Sequence, residues 1–399
     1  MSGTKGGKQV RAYLDHNASA PLQAEARIAM LAALDAGGNA SSVHAEGRAA
    51  RGLVEKARRQ LAEAVGVSAG QVVFTSGASE AAAHALSPIL RAGSAEIPVS
   101  RLYISATEHP CVLAGGRFAP EAIEILPVDA TGMLDMAALA EALAGHDGKA
   151  GSPMVAVQLA NNETGVIQPI EKIAELVHAH DGFLVVDAVQ ALGRIPLSVP
   201  ELGAHFVLLS SHKTGGPQGA GALILGNGTI SPVPLIRGGG QESFNRAGTE
   251  NVAAIAGFGA AAALAGQTAG EMGVIAALRD SIEDGITTIC GEAGNKAGAP
   301  VFFGREAAGG RLANTSCFAV PGIKAETALI SLDLAGVAVS SGSACSSGKV
   351  KKSHVLQAMG ADDELAACAL RVSAGPQSTG RDAEAFLGAF RNIVNRIAA

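Results

Sequence analysis

From Gln71 onward the chain alternates short apolar runs with longer amphipathic ones. The runs QVVFTSG, RLYISATEH, MVAVQLANNETG, FLVVDAVQ, FVLLSSHK and GALIL carry β-branched residues and are bounded by polar or glycine-containing stretches, which predicts strands. Most are separated by lengths that hold a crossover helix, EKIAELVHAH among them, so a mainly parallel, doubly wound α/β sheet is expected. Upstream, Leu53, Val54, Ala57, Leu61 and Val65 recur at helical spacing, with Arg51, Glu55 and Arg58 among the polar positions. This predicts a helix over 45–65 that stops at Gly66. The segment VAAIAGFGAAAALAG from Val252 is too short and too glycine-interrupted to span a bilayer and reads as a buried helix. Beyond about residue 266 the pattern changes to a long helix, a Gly- and Ala-rich stretch at 291–300, and shorter strands and helices. Two units are expected: a large one over 15–265, and a smaller α+β unit over 266–399 joined by residues 1–14.

The polar residues fall in a telling place. Five of the apolar runs end in polar clusters: Ser76 to Glu80, Thr107 to His109, Asn161 to Thr164, Asp187 to Gln190, and Ser210 to Lys213. Open parallel sheets bind ligands in the crevice at the carboxyl ends of their strands, so these clusters are expected to converge. TSGASE reads as a turn into a helix, with Gly77 allowing close backbone approach and Ser79 near the first turn, a seat for a phosphate. Lys213 offers an amine that can hold an aldehyde as a Schiff base, and Asp187 a carboxylate that can keep a ring nitrogen protonated. Those are the two parts that pyridoxal phosphate chemistry requires. Ser210 and His212 can donate to the same phosphate; taken alone, His212 reads equally well as a structural histidine.

Composition narrows the field. With 36 acidic against 30 basic residues and a net charge of -6, the chain has no basic footprint for nucleic acid or an anionic membrane, which favours small-molecule chemistry. The opening residues MSGTKGGKQVR have no apolar signal core, so a cytoplasmic location is expected. Five widely spaced cysteines without a CxxC read as reduced thiols, and no metal site is expected from them. Cys345 is set apart by its setting, VSSGSACSSGKVKK, whose serines and glycines predict a mobile loop. Lys349, Lys351 and Lys352 there favour a thiolate. Cys290, Cys317, Cys368 and Cys111 are expected as small buried hydrophobes, Cys111 being the rival to Cys345 because it lies two residues past His109.

Taken together, VVDAVQ, SSHK, SATEHP, NNETG, GGGQE with RAGTEN, and SSGSACSSG resemble the motif set of the NifS/IscS-like cysteine desulfurases, of the class V aminotransferase family, along almost the whole chain. The resemblance implies a fold-type I enzyme dependent on pyridoxal 5'-phosphate, with the large unit binding the cofactor and the small one carrying the cysteine loop at about 340–352. It implies a homodimer with active sites near the subunit interface, L-cysteine converted to L-alanine with a persulfide left on Cys345, and a sulfur acceptor such as an iron–sulfur scaffold protein. Lys213 would hold the cofactor, Asp187 pair with its ring nitrogen, His109 stack on the ring and assist proton transfer, and Gln190 bond the ring hydroxyl. Ala78, Ser79, Ser210 and His212 would seat the phosphate, with Thr249 reaching it from the other subunit. Asn162, on the cofactor side, would join Asn39 and Arg371 in addressing the substrate carboxylate, Arg371 through its planar fork.

The chain departs from the family pattern at Ala81, Ala82 and Ala83, where relatives commonly carry polar residues, and in having Ser79 where a threonine is usual. It closes at NRIAA, so scaffold docking through a longer C-terminal extension is not expected. A selenocysteine lyase or a class V aminotransferase would share the cofactor site, although a transaminase has no use for Cys345 in a mobile loop. A sulfur-carrier protein without turnover is the non-enzymatic alternative, and the intact set Lys213, Asp187, His109 and Cys345 weighs against it.

Overall fold

The computed structural model describes residues 11–294, 298–342 and 352–398. Cys345, Lys349 and Lys351 lie outside these residues.

Strand direction organises the large sheet. Val72–Thr75, Ala95–Ser105, Ser152–Gln158, Phe183–Asp187 and Phe206–Ser210 all run the same way, and Gly221–Leu225 is inserted antiparallel between the first and the last of them. A hairpin of Ile89–Ala92 and the start of Ala95–Ser105, extended by Ile230–Pro232, closes one edge. The mainly parallel sheet expected from the apolar runs is therefore present, with an antiparallel member that their pattern does not reveal. The central strands are buried on both faces, so they read as continuous apolar runs. Alternate residues still divide between two cores. Val155, Val157, Leu184, Val186, Val207 and Leu209 face one layer, and Met154, Ala156, Phe183, Val185, Phe206 and Leu208 face the other.

The helix Ala45–Val65 ends at Gly66, whose φ of 74° provides the left-handed cap. It crosses the helix Val252–Ala263, most of whose residues are buried, so closely that a Cβ on Gly259 would lie 2.4 Å from the Ala57 Cα. Arg58, expected on the polar side of this helix, is buried. Its guanidinium is bidentate on Glu242 at 2.6 and 2.8 Å and also donates to the Val72 carbonyl, while Glu242 accepts the Phe74 N–H at 2.9 Å. The reason is tertiary: a carboxylate 184 positions away supplies the partner that helical periodicity cannot show. The same pair holds Glu242, Ser243 and Phe244, three consecutive non-glycine residues with φ of 47°, 53° and 66°.

A second sheet orders Val301–Phe303, Thr315–Ala319, Ala369–Ser373 and Ser340–Ser341. One side of it packs on the helices Met272–Glu292, Ala325–Leu334 and Gly380–Ala398, where Phe318 meets the rings of Phe386 and Phe390. Ala12 and Leu14 belong to this core too, because Ala12–Tyr13 pairs in parallel with Val337–Ala338. Residues 15–18 then pass from this core to the strand ends of the large sheet. Among the described residues no helix is long and apolar enough to cross a membrane.

Glu242→Ala removes the bidentate, buried anion of Arg58, leaving it only the Glu55 carboxylate at 3.3 Å, and frees the left-handed turn. Chemical denaturation should show a loss of about 3–5 kcal/mol of unfolding free energy.

Candidate active site

The five strand-end clusters meet. Ser79, His109, Asn162, Asp187 and Lys213, one from each, line a single cavity of about 560 Å³, a volume suited to a small-molecule cofactor with its substrate. Ala78, Gln190, Ser210, His212 and Arg371 complete the predicted set on its walls. Asn39 and Thr249 do not line it; both are exposed on their own chain.

At one end the helix Ala78–Ala85 opens after Gly77, presenting its first N–H groups beside Ser79, Ser210 and His212. Such a helix start, with hydroxyl and imidazole groups beside it, has the donor chemistry that suits an anion. It depends on Gly221, since a Cβ there would lie 2.6 Å from the Gly77 backbone and 2.8 Å from the Leu209 carbonyl. Ser76 N–H donates to Glu80, which is held in turn by Arg246 at 2.8 Å. Ala81 and Ala82 pack into the core behind the turn.

In the middle of the cavity Asp187 ends its strand, and its Oδ1 accepts the Val189 N–H at 2.9 Å. Burial holds its carboxyl above the usual range; the Val189 hydrogen bond and the Lys213 charge pull the other way. Neighbouring Glu108 is raised further, by burial and then by Asp187. An acidic N–H beside Asp187 would find an acceptor in need of a cation. Lys213 sits in the turn Ser211–Lys213, its Nζ donating to the carbonyls of Asn17 at 2.6 Å and Ala18 at 2.9 Å.

Burial, then the Lys213 charge, lowers His109 to about 4, so it is neutral at ordinary pH. Its Nδ1 caps the short helix Pro110–Leu113 by accepting the Cys111 N–H at 3.2 Å, and the Cys111 sulfur lies 3.0 Å from the same nitrogen. With Nδ1 an acceptor, the ring proton is assigned to Nε2. His212 is likewise lowered to about 4, by burial and then by Lys213 and Arg194. Cys290, Cys317 and Cys368 are buried as expected, whereas Cys111 lines the cavity. Burial pushes its thiol up to about 12, which makes it a hydrogen-bonding group in preference to a nucleophile.

Arg371, central in its strand, is 1% exposed and points inward. Nη1 donates to the Asn162 carbonyl at 2.9 Å and Nη2 to Asp15 at 2.8 Å, while Nε is buried without a partner among the described residues. Asn162 is held in place by an Asx turn, Asn161 Oδ1 accepting the N–H groups of Glu163 and Thr164.

Several groups at the site were not singled out by sequence reading. Asn17 joins the small sheet to the cavity: its N–H donates to Ser373, its side chain to Thr315 and the Asn162 carbonyl, and its carbonyl accepts Lys213 and Gln190. The signal available was DHNAS, a polar run after the first short strand. Gly221 had no signal, because the backbone it makes room for is remote in sequence. Glu163 lay within NNETG but carried no assigned role.

A family description, Aminotransferase class-V, matches residues 12–386. A cysteine desulfurase of Cereibacter sphaeroides is 38% identical over 396 residues, covering 98% of this chain and 97% of that protein. Cysteine desulfurase IscS of Dictyoglomus turgidum is 36% identical, covering 96% and 95%. The X-ray structure of a NifS-like protein from Rickettsia africae superposes with a TM-score of 0.83 at 33% identity, over 96% of this chain and 99% of that one.

Glu163 yields a prediction. Its buried carboxyl accepts the Ser353 hydroxyl at 2.5 Å, and a Cβ on Gly342 would lie 2.9 Å from its Oε2. Burial raises it from 4.5 to about 7, against the pull of Ser353 and Arg371. A raised carboxyl costs the fold nothing below the unfolded value and its full amount above the folded one. Glu163→Gln keeps an acceptor and removes that cost, so the variant should gain stability relative to the parent between pH 5 and pH 8, by on the order of 1–3 kcal/mol in denaturation at the two pH values.

Proposed function

The chain belongs to the class-V aminotransferase family, within its NifS/IscS-like cysteine desulfurases, and on that premise we propose that its crevice holds pyridoxal 5'-phosphate and removes sulfur from L-cysteine. The family is generally dependent on this cofactor, and the enzyme is of the cysteine desulfurase type. The observation that carries the proposal is the convergence of an anion seat, a buried carboxylate and a lysine amine in one cavity. The donor set fits the cofactor group by group: Ser79, Ser210, His212 and the Gly77 turn suit the phosphate, Asp187 the ring nitrogen, Gln190 the ring oxygen and Lys213 the aldehyde. When bound, the cofactor supplies an electron sink for the amino acid's α-carbon.

In this reading Arg371 binds the substrate carboxylate, supported by its inward burial and its unused Nε–H. Lys213 is the base at the α-carbon, and His109, with its proton on Nε2, is a donor beside it. The Cys345 thiolate attacks the substrate sulfur: a sulfur–sulfur bond forms, the carbon–sulfur bond breaks, and the three-carbon product takes up a proton to leave as L-alanine. Thiol and cysteine thus become persulfide and alanine with no external oxidant. The high thiol pKa of Cys111 supports giving the nucleophile's role to Cys345. The unit beyond residue 266, with the first strand, contributes Arg371 and carries Cys345.

A homodimer belongs to the proposal. Thr249, assigned by the resemblance to a partner's phosphate, is exposed and absent from its own cavity, and Val43 and Phe244 are exposed large apolar residues. The persulfide would pass to a separate sulfur acceptor.

Purified protein given L-cysteine and a reductant should release alanine and sulfide together. Lys213→Ala should lose both the visible absorbance of the bound cofactor and alanine formation. Cys345→Ala should keep the absorbance and lose alanine formation; undiminished turnover there would overturn the assignment of the nucleophile.

A further inference from the structure

Behind the cavity lies Arg194, 7% exposed, on the turn that follows the Asp187 strand. Among the described residues its guanidinium meets only neutral oxygens. Nη1 donates to the Gln190 carbonyl at 2.9 Å and to Gln190 Oε1; Nη2 donates to the His16 carbonyl at 3.2 Å and the Lys213 carbonyl at 3.3 Å. Burial, then the charge of Arg371, pulls it down to about 9. Burying a cation without an ionised acceptor is unfavourable, and such groups persist where they serve a site.

The service is at Gln190. A glutamine amide can turn either its oxygen or its nitrogen to a given side. Here Oε1 is taken by Arg194, so Nε2 is the donor end, and one of its N–H groups reaches the Asn17 carbonyl at 3.1 Å. That carbonyl also accepts Lys213 Nζ. Two guanidinium nitrogens therefore span the amide of Gln190 and the backbone of Lys213, the residues read above as flanking the ring oxygen and the aldehyde.

We propose that Arg194 is a positioning residue that locks the Gln190 amide with its N–H end toward the cofactor and ties it to Lys213, so that an anionic ring oxygen meets a donor and not a second oxygen. The inference rests on the pyridoxal phosphate reading of the crevice and adds to it a residue that does not line the cavity. Apolar replacement of Arg194 leaves the bond from Nε2 to the Asn17 carbonyl as the single hold on the amide, so the turned orientation, which presents Oε1 to the ring oxygen, gains population and weakens cofactor binding through Gln190.

A double-mutant cycle separates this action from a general structural one. The unaltered chain, Arg194→Met, Gln190→Ala and the double variant are stripped of cofactor and titrated with pyridoxal phosphate, with dissociation constants and the pH midpoint of the visible absorbance recorded. Melting temperatures of the stripped proteins are measured alongside. Arg194→Met should raise the dissociation constant by about tenfold and shift the pH midpoint when Gln190 is present, and by less than about twofold in the Gln190→Ala background. Equal weakening in both backgrounds, or none in either, overturns the proposal, because the guanidinium then does not act through Gln190. Should the Met variant fail to fold, Arg194→Lys, which keeps charge and length without the fork, goes through the same cycle with the same expectation. Failure of the unaltered chain to take up pyridoxal phosphate would overturn the functional reading as well; uptake with additive effects would overturn this inference alone.

Discussion

Parallel strands leave their carboxyl ends on one edge; six strands of this sheet share that direction, and five of them end in the polar clusters. The constraint is geometric and strong: once the apolar runs are paired, Ser76, Thr107, Asn161, Asp187 and Lys213 have no other place to go than a common rim. The one antiparallel insertion, Gly221–Leu225, serves the same end. Its first residue lacks a Cβ where the Gly77 turn must press against it, so that turn, at the sheet's outer strand, is brought level with Ser210 in the middle. The floor is closed from the opposite direction by residues 15–18, which leave the small sheet through the pairing of Asp15 with Ser373 and offer their carbonyls to Lys213.

Burial then sets the charge state of what the strands bring together. Water is excluded from both ends of the ionisation scale, so carboxyls such as Glu163 and Asp187 rise while His109 and His212 fall to about 4. The histidines are thereby neutral, and their chemistry is decided by which nitrogen is already engaged. For His109 that is Nδ1, occupied by a backbone N–H two residues on. Arg371 and Arg194 are the two buried guanidinium groups of this region. One is compensated by Asp15 and the Asn162 carbonyl, the other by four neutral oxygens. A cavity lined by the buried Arg371 and by a helix N-terminus suits a ligand that carries more than one anionic group.

The Arg58–Glu242 pair clamps a helix, an outer strand and a strained turn, and Phe318, Phe386 and Phe390 fill the small core. The crevice, in contrast, holds Arg371 Nε, a buried donor without a partner among the described residues, which costs free energy in this state and is available to a ligand.

Local pattern carried a great deal. The apolar period announced the sheet strands and the helix stopping at Gly66, and the polar ends of those strands named Lys213, Asp187, His109 and Ser79 before any contact was known. These features are legible because strand and helix periods, caps and strand termini are properties of a few adjacent residues. What the sequence could not state was which distant groups would neutralise or orient them. Arg58 reads as a surface residue until Glu242 folds back on it, Cys111 reads as core until the cavity opens beside it, and Asn17, Arg194 and Gly221 acquire their roles only from backbone brought near by folding. Identity and spacing determined the chemistry this chain can offer; tertiary structure alone decided the partners, protonation and orientation of each group, because those depend on burial and on contacts between residues far apart in the chain.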